Sequence, residues 1–141
     1  MQFIPFILVG EFLFQNTIEE IKRLVKENFI TEVKEELDKK YLSLYIPARG
    51  IFIVFSETGD YIRIIEVEND VFIQEVNIFR MSFENIKCFI EENDKDYKMI
   101  DDCTLESKKY GFLITKKTDN SNVLTFYSKK YLQEDDISPD D

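Results

Sequence analysis

Carboxylates are concentrated in two short segments of this 141-residue chain. Residues 91–102 hold six acidic residues and two lysines, and residues 134–141 hold five acidic residues and no basic one. The other 121 residues hold 17 acids and 16 bases, so nearly all of the net charge of −10 comes from these two acidic runs. Clustered carboxylates can attract a cationic protein surface, and they can also ligate calcium.

The order of residues in the first run disfavours calcium. Its segment DKDYKMIDD lacks the turn glycine and the terminal Glu of an EF-hand loop, and two lysines interrupt it. We therefore expect no metal and no other cofactor. We interpret both runs as a contact surface for a basic partner, the simpler alternative being that each is a solvated face or tail. The predicted partner-binding carboxylates are Glu91, Glu92, Asp94, Asp96, Asp101, Asp102, Glu134, Asp135 and Asp136.

Catalytic chemistry has few candidate residues in this sequence. The chain contains no histidine, which removes the usual general base near neutral pH and every Ser–His or Cys–His nucleophile pair. Its two cysteines, Cys88 and Cys103, match no zinc-binding spacing, and no glycine-rich phosphate loop is present. Acid chemistry by paired carboxylates stays open, but we predict a protein that is not an enzyme. With no disulfide framework, the chain is expected to be reduced and cytoplasmic.

Binding to nucleic acid is not expected either. The lysine pairs at 108–109, 116–117 and 129–130 alternate with aromatic residues, as in some sheets that bind single strands. Acidic residues outnumber them, however, and lysines that flank strands commonly protect sheet edges. The net negative charge also argues against contact with a phosphate backbone.

The N-terminal run MQFIPFILVGEFLF is apolar enough to be compared with a targeting segment. No Lys or Arg precedes its apolar stretch, and no small-residue cleavage site follows it. Glu11 interrupts the run, which is too short to span a bilayer. We therefore predict a buried strand here and no contact with a membrane.

The phrase TIEEIKRLVKEN at residues 17–28 is echoed by SFENIKCFIEEN at residues 82–93. Each copy begins with a good N-cap residue, Thr17 or Ser82, and Glu20 completes a capping box in the first copy. Apolar residues then recur at i, i+3, i+6 and i+7, which predicts two amphipathic helices. The two apolar stripes are Ile18, Ile21, Leu24 and Val25 in the first helix, and Phe83, Ile86, Phe89 and Ile90 in the second.

Two β-hairpins are predicted to follow these helices at similar offsets. GIFIVFSETGDYIRIIEV at 50–67 and GFLITKKTDNSNVLTFYS at 111–128 each place a turn between two apolar runs. Gly59 and Asn120 fall at matching turn positions, and both residue types tolerate a positive φ. An extended run also precedes each helix, FILVGEFLF before the first and VFIQEVNIF before the second. The order strand, helix, hairpin therefore occurs twice, which an internal duplication would explain.

The resulting prediction is an α+β fold. A mainly antiparallel sheet of about six strands carries two helices on one face, within a single domain at 1–133. The half-repeats would span 1–69 and 70–133, and 134–141 would form an acidic C-terminal tail. TEVKEELDKK at 31–40 is interpreted as a short extra helix in the longer first connection.

The segments GIFIVFSETGDYIRIIEV, VFIQEVNIFRMSFENIKCFIEEN and YGFLITKKTDNSNVLTFYSKKYL, within residues 50–132, resemble a class of bacterial proteins. They look like the small acidic immunity proteins of interbacterial toxin systems, including contact-dependent growth inhibition. The resemblance implies a cytoplasmic protein that binds a cognate basic toxin domain, commonly a nuclease, and occludes its substrate groove. It assigns no functional residue by position. The alternative function is a non-enzymatic adaptor or oligomerisation module.

Overall fold

The structure, a computed structural model, describes residues 1–129 and residue 131. The fold is α+β, with two helices and mainly antiparallel sheet, as the sequence predicts. The strand number was wrong, because the large sheet has eight strands and not about six. No helix in the described part of the chain is long and apolar enough to cross a membrane.

The elements follow one another in the same order in the two halves of the chain. The first half contains β1 Phe3–Ile4, β2 Leu8–Val9, β3 Phe12–Leu13, α1 Ile18–Leu24, β4 Ile30–Glu36, β5 Lys39–Ile46, β6 Ile51–Phe55 and β7 Ile62–Val67. The second contains β8 Phe72–Ile73, β9 Val76–Asn77, α2 Phe83–Asn93, β10 Lys98–Asp101, β11 Thr104–Ser107, β12 Phe112–Lys116 and β13 Asn122–Tyr127. Short 3-10 helices at Pro47–Arg49 and Ile78–Arg80 complete the list.

The large sheet consists of two four-stranded antiparallel meanders. Its strand order is β10-β11-β12-β13-β7-β6-β5-β4, so each half of the chain supplies four neighbouring strands. The halves join where β13 pairs antiparallel with β7, with Leu124 opposite Val67 and Tyr127 opposite Ile64. Each half thus consists of short strands, one helix and a meander. The half-repeat boundary at residue 70 and a duplication as the origin of this order both stay predictions.

The segment 31–40 forms a β-hairpin, so the short helix predicted there was wrong. Thr31 to Glu36 belong to β4, which pairs with β5 in regular register. Leu37 and Asp38 form the turn, both with positive φ, as a two-residue hairpin connection requires. Glu and Lys are good helix formers, but intrinsic propensities differ by only about 0.7 kcal/mol per residue at most among ordinary residues, and pairing with the β5 backbone outweighs that preference.

The extended runs before the helices are also broken into shorter pieces than predicted. The N-terminal run forms three two-residue strands, β1 to β3, because Pro5 and Phe6 form one turn and Gly10 helps to form the next. The run before α2 forms the small β8–β9 ladder with Gln74 and Glu75 at its turn. The prediction of burial holds for four apolar residues of the first run, namely Phe3, Val9, Phe12 and Phe14.

Both helices begin where the sequence predicts. Thr17 Oγ1 accepts a hydrogen bond from Glu20 N at 3.2 Å, and Glu20 Oε1 accepts one from Thr17 N at 3.0 Å, which confirms the capping box. Ser82 Oγ accepts a hydrogen bond from Asn85 N at 3.2 Å at the start of α2. One stripe residue was misplaced, since α1 ends at Leu24 and leaves that side chain 40% exposed.

One core joins the helices to a single face of the large sheet. Ile21 and Ile86 are fully buried in it, together with alternate residues of the strands such as Leu124 and Phe126. We call this helix-covered side the inner face and the opposite side the outer face. At the predicted turn of the first hairpin, Gly59 has φ +77, and a Cβ there would lie 2.7 Å from the Ile18 side chain. Glycine therefore lets α1 approach the sheet closely.

Truncation of the buried stripe residues should destabilise the fold. We expect Ile21→Ala and Ile86→Ala each to lower the free energy of unfolding by about 2–5 kcal/mol, because each leaves a cavity in a packed core. Leu24→Ala is the matched control and should cost less than about 1 kcal/mol, since Leu24 is partly exposed. Urea denaturation followed by circular dichroism measures all three. Equal losses for Leu24 and Ile21 would contradict this packing.

Candidate functional site

The first acidic run lies at one edge of the large sheet. Residues 91–93 form the last turn of α2, Asp94 is its C-cap, and β10 is the edge strand that follows. Most of this run is therefore helix or strand. We call residues 91–102 the acidic edge. The predicted residues Glu134, Asp135 and Asp136 lie outside the described residues.

Asp94 belongs to the fold and is not available to a partner. Its side chain is only 5% exposed. Asp94 Oδ2 accepts a hydrogen bond from Ser107 Oγ at 2.7 Å, and Asp94 Oδ1 accepts one from Asp96 N at 3.0 Å. These bonds tie the end of α2 to the end of β11. Burial, with a smaller contribution from the Asp94 charge, raises the pKa of the neighbouring Tyr110 hydroxyl. The structure therefore gives Asp94 a role in the fold and separates it from the exposed carboxylates that were predicted to contact a partner.

Asp101 shapes a turn, although its side chain is exposed. Asp101 Oδ1 accepts a hydrogen bond from Cys103 N at 2.8 Å, which closes the connection between β10 and β11. A bulge between Met99 and Asp101 shifts the register just before this turn. Bulges are common at sheet edges, where they re-aim side chains. Asp101 therefore has a structural role beside any role in binding.

Four of the predicted carboxylates remain available at the acidic edge. Glu91, Glu92, Asp96 and Asp102 are exposed, and within the described residues their carboxylates take part in no ion pair or hydrogen bond. The same edge exposes two large apolar side chains of β10, Met99 at 37% and Ile100 at 55%. An apolar centre with a charged surround is the usual composition of a protein-binding surface.

A second feature, which sequence reasoning missed, is a groove on the outer face. It has a volume of about 320 Å³ and lies over strands β4 to β7. Tyr45, Phe52 and Glu66 stand side by side in one cross-strand row that forms part of its lining. The rings of Tyr45 and Phe52 lie 6.3 Å apart between centroids, tilted by 57°. Lys34 Nζ lies 4.3 Å from the centroid of the Phe52 ring. We call this the outer-face groove.

The carboxylate of Glu66 has no direct partner among the described residues. It is half-buried, and no hydrogen bond or ion pair among the described residues involves it. Burial raises the pKa of the Glu66 carboxyl, and the negative charge of Glu68 raises it further, while Lys34 and Lys117 oppose these effects. Glu68 is itself paired, with Lys117 Nζ 2.8 Å from its Oε1. The sequence gives no local signal for this pair, because only the strand register brings Glu66 beside Phe52.

Gly50 lines one end of the groove, and the side chain of its neighbour Arg49 is held by two carboxylates. Arg49 donates to Glu11 Oε1 at 2.6 Å and to both oxygens of Glu27, and it lowers the pKa of the Glu27 carboxyl. Gly50 has φ +62, and a Cβ there would meet the carbonyl oxygen of Glu68 at 2.8 Å. Only glycine fits this close approach without a shift of the backbone. The groove is therefore built into the sheet.

Among the described residues, no three or more Cys, Asp and Glu side chains are grouped so as to hold a metal ion. Cys88 and Cys103 are free and exposed. Comparisons with protein-family models, with curated proteins and with solved structures find no match to this chain. The function is therefore inferred from the two surfaces themselves, the acidic edge and the outer-face groove.

The different roles of neighbouring aspartates can be tested by stability measurements. We expect Asp94→Ala to cost about 1–3 kcal/mol of unfolding free energy, because it leaves the buried Ser107 hydroxyl without its acceptor. Asp96→Ala, two residues away, should change stability by no more than about 0.5 kcal/mol, since its side chain is exposed. Thermal and urea unfolding of the two variants provide the comparison. A larger loss for Asp96→Ala would contradict the assignment.

Proposed function

We propose that this chain is an immunity protein that binds a basic toxin domain and neutralises it through the acidic edge. The toxin domain would be a nuclease whose substrate groove is cationic, and the carboxylates would occupy that groove. The protein would act in the cytoplasm of the producing cell by binding and not by catalysis. The resemblance of residues 50–132 to small acidic immunity proteins supports this function.

One observation carries the proposal. Four carboxylates that have no partner among residues 1–129 and 131 accompany two exposed apolar side chains, Met99 and Ile100, at an edge strand of the sheet. Including its two lysines and the enclosed Asp94, the acidic edge holds a net charge of −4. Such a field speeds the encounter with a cationic partner, while apolar contacts and edge-strand pairing hold the complex.

The function is tested by co-expression with the protein encoded in the adjacent reading frame. We expect that neighbour to arrest bacterial growth alone and this chain to restore growth when both are present. A harmless neighbour, or growth arrest that this chain does not relieve, would contradict the proposal. Such a result would favour an adaptor or oligomerisation module instead.

The acidic edge is tested by a fourfold charge variant. Replacing Glu91 and Glu92 by Gln, and Asp96 and Asp102 by Asn, should slow association with the toxin domain about tenfold or more at low salt. The dependence on salt should also weaken, because charges are screened beyond about 8 Å at physiological ionic strength. Asp94 and Asp101 are left unchanged because they support the fold.

The matched control removes four exposed carboxylates elsewhere on the chain. Its substitutions are Asp38→Asn, Glu57→Gln, Glu75→Gln and Glu84→Gln, so the change in net charge is the same. Stopped-flow association measured over a series of salt concentrations compares the two variants with the parent. Equal slowing by both would show that total charge and not the acidic edge steers the partner, which would contradict the assigned surface.

A further inference from the structure

We propose that the outer-face groove binds the guanidinium group of an arginine side chain presented by the protein partner. This inference rests on one feature of the proposed function, namely that the partner is basic. The groove lies at β4 to β7 and the acidic edge at β10, so four strand spacings, about 19 Å, separate β7 from that edge. A partner with an interface of ordinary size can reach both surfaces.

The aromatic lining suits a planar cation. Phe52 already faces a positive charge, since Lys34 Nζ lies 4.3 Å from its ring centroid. Tyr45 is exposed and inclined to that ring, so the two faces bound an open wedge. Guanidinium groups stack on aromatic faces and are more weakly hydrated than ammonium groups. Arginine can therefore displace the solvated Lys34 head and lie against Phe52.

Glu66 supplies the charge that selects a cation. Its half-buried carboxylate stands beside Phe52 in the cross-strand row and has no partner among the described residues. The charged groups that act on it are Glu68, Lys34 and Lys117, and Lys117 is bound to Glu68 at 2.8 Å. A guanidinium group donates two parallel hydrogen bonds to a carboxylate, which an ammonium group cannot do. The geometry thus favours arginine over lysine.

Keeping the charged Glu66 carboxylate half-buried lowers the free energy of unfolding. Residues held in such unfavourable surroundings are often found at binding sites. The folded-state pKa of Glu66 is raised, so the folded protein holds this proton more tightly than the unfolded chain does. The contribution of Glu66 to stability is therefore lost as the pH rises through its folded pKa. At neutral pH, Glu66→Gln should be at least as stable as the parent, so loss of binding in this variant cannot be ascribed to unfolding.

The probe for the test is N-acetyl-arginine methylamide, titrated into the isotope-labelled full chain and followed by NMR. We expect saturable shifts of the amides of Lys34, Phe52 and Glu66 in the millimolar range. Glu66→Gln and Phe52→Leu should each weaken binding about tenfold or more, and binding by the parent should weaken as the pH falls through the Glu66 pKa. Glu57→Gln removes an exposed charge at the β6–β7 turn and should bind as the parent does.

Three results would overturn this inference. They are the absence of saturable shifts at the groove, equal binding by Glu66→Gln and the parent, and equal binding of N-acetyl-lysine methylamide. The titration uses no toxin, so its failure is distinguishable from failure of the proposed function. A groove that does not bind arginine leaves the growth-protection test of the acidic edge unchanged, and failure of that test leaves the titration valid.

Discussion

The pairing of β7 with β13 is the interaction on which the rest of the structure depends. Each four-stranded meander has one apolar face and one helix, and the ladder from Leu124–Val67 to Tyr127–Ile64 makes them a single sheet. The continuous inner face then buries Ile21 of α1 and Ile86 of α2 in one core. A meander with a single helix would expose the inward residues of its last strand, so neither half is expected to be stable alone.

This one-sided packing determines where binding surfaces can lie. Because α1 and α2 cover the inner face, the outer face and the sheet edges remain for contacts with other molecules. The carboxylates differ in the same way, since some are enclosed by the fold and others are exposed to a partner. Asp94 is enclosed and ties α2 to β11, whereas Glu91, Glu92, Asp96 and Asp102 are exposed and unpaired among the described residues. Glu66 is half-buried and has no direct partner in the part of the chain that the structure describes, so its position does not serve the stability of the fold.

Local chemistry made part of the structure predictable from the sequence. Caps and turn residues such as Thr17, Gly59 and Asn120 act within a few positions, and the structure confirms them. The missed strands β4, β5, β10 and β11 carry many charged residues, and they are strands because each pairs with the backbone of a neighbouring strand, which the side-chain pattern of one strand does not reveal. The acidic edge was found from composition, but the enclosure of Asp94 depends on Ser107, thirteen residues away. The outer-face groove required the cross-strand register, which sequence alone does not supply.

The central claim is that a basic protein binds at the acidic edge and across the outer face. Hydrogen exchange of the full chain, alone and in complex with the proposed toxin domain, tests this most directly. The account predicts slower exchange at the amides of β10 and along β5 and β6, with α1 and the N-terminal strands unchanged. Protection confined to α1 or to β1 to β3 would contradict it, because those elements pack on the inner face and contain no residue of the acidic edge or of the outer-face groove.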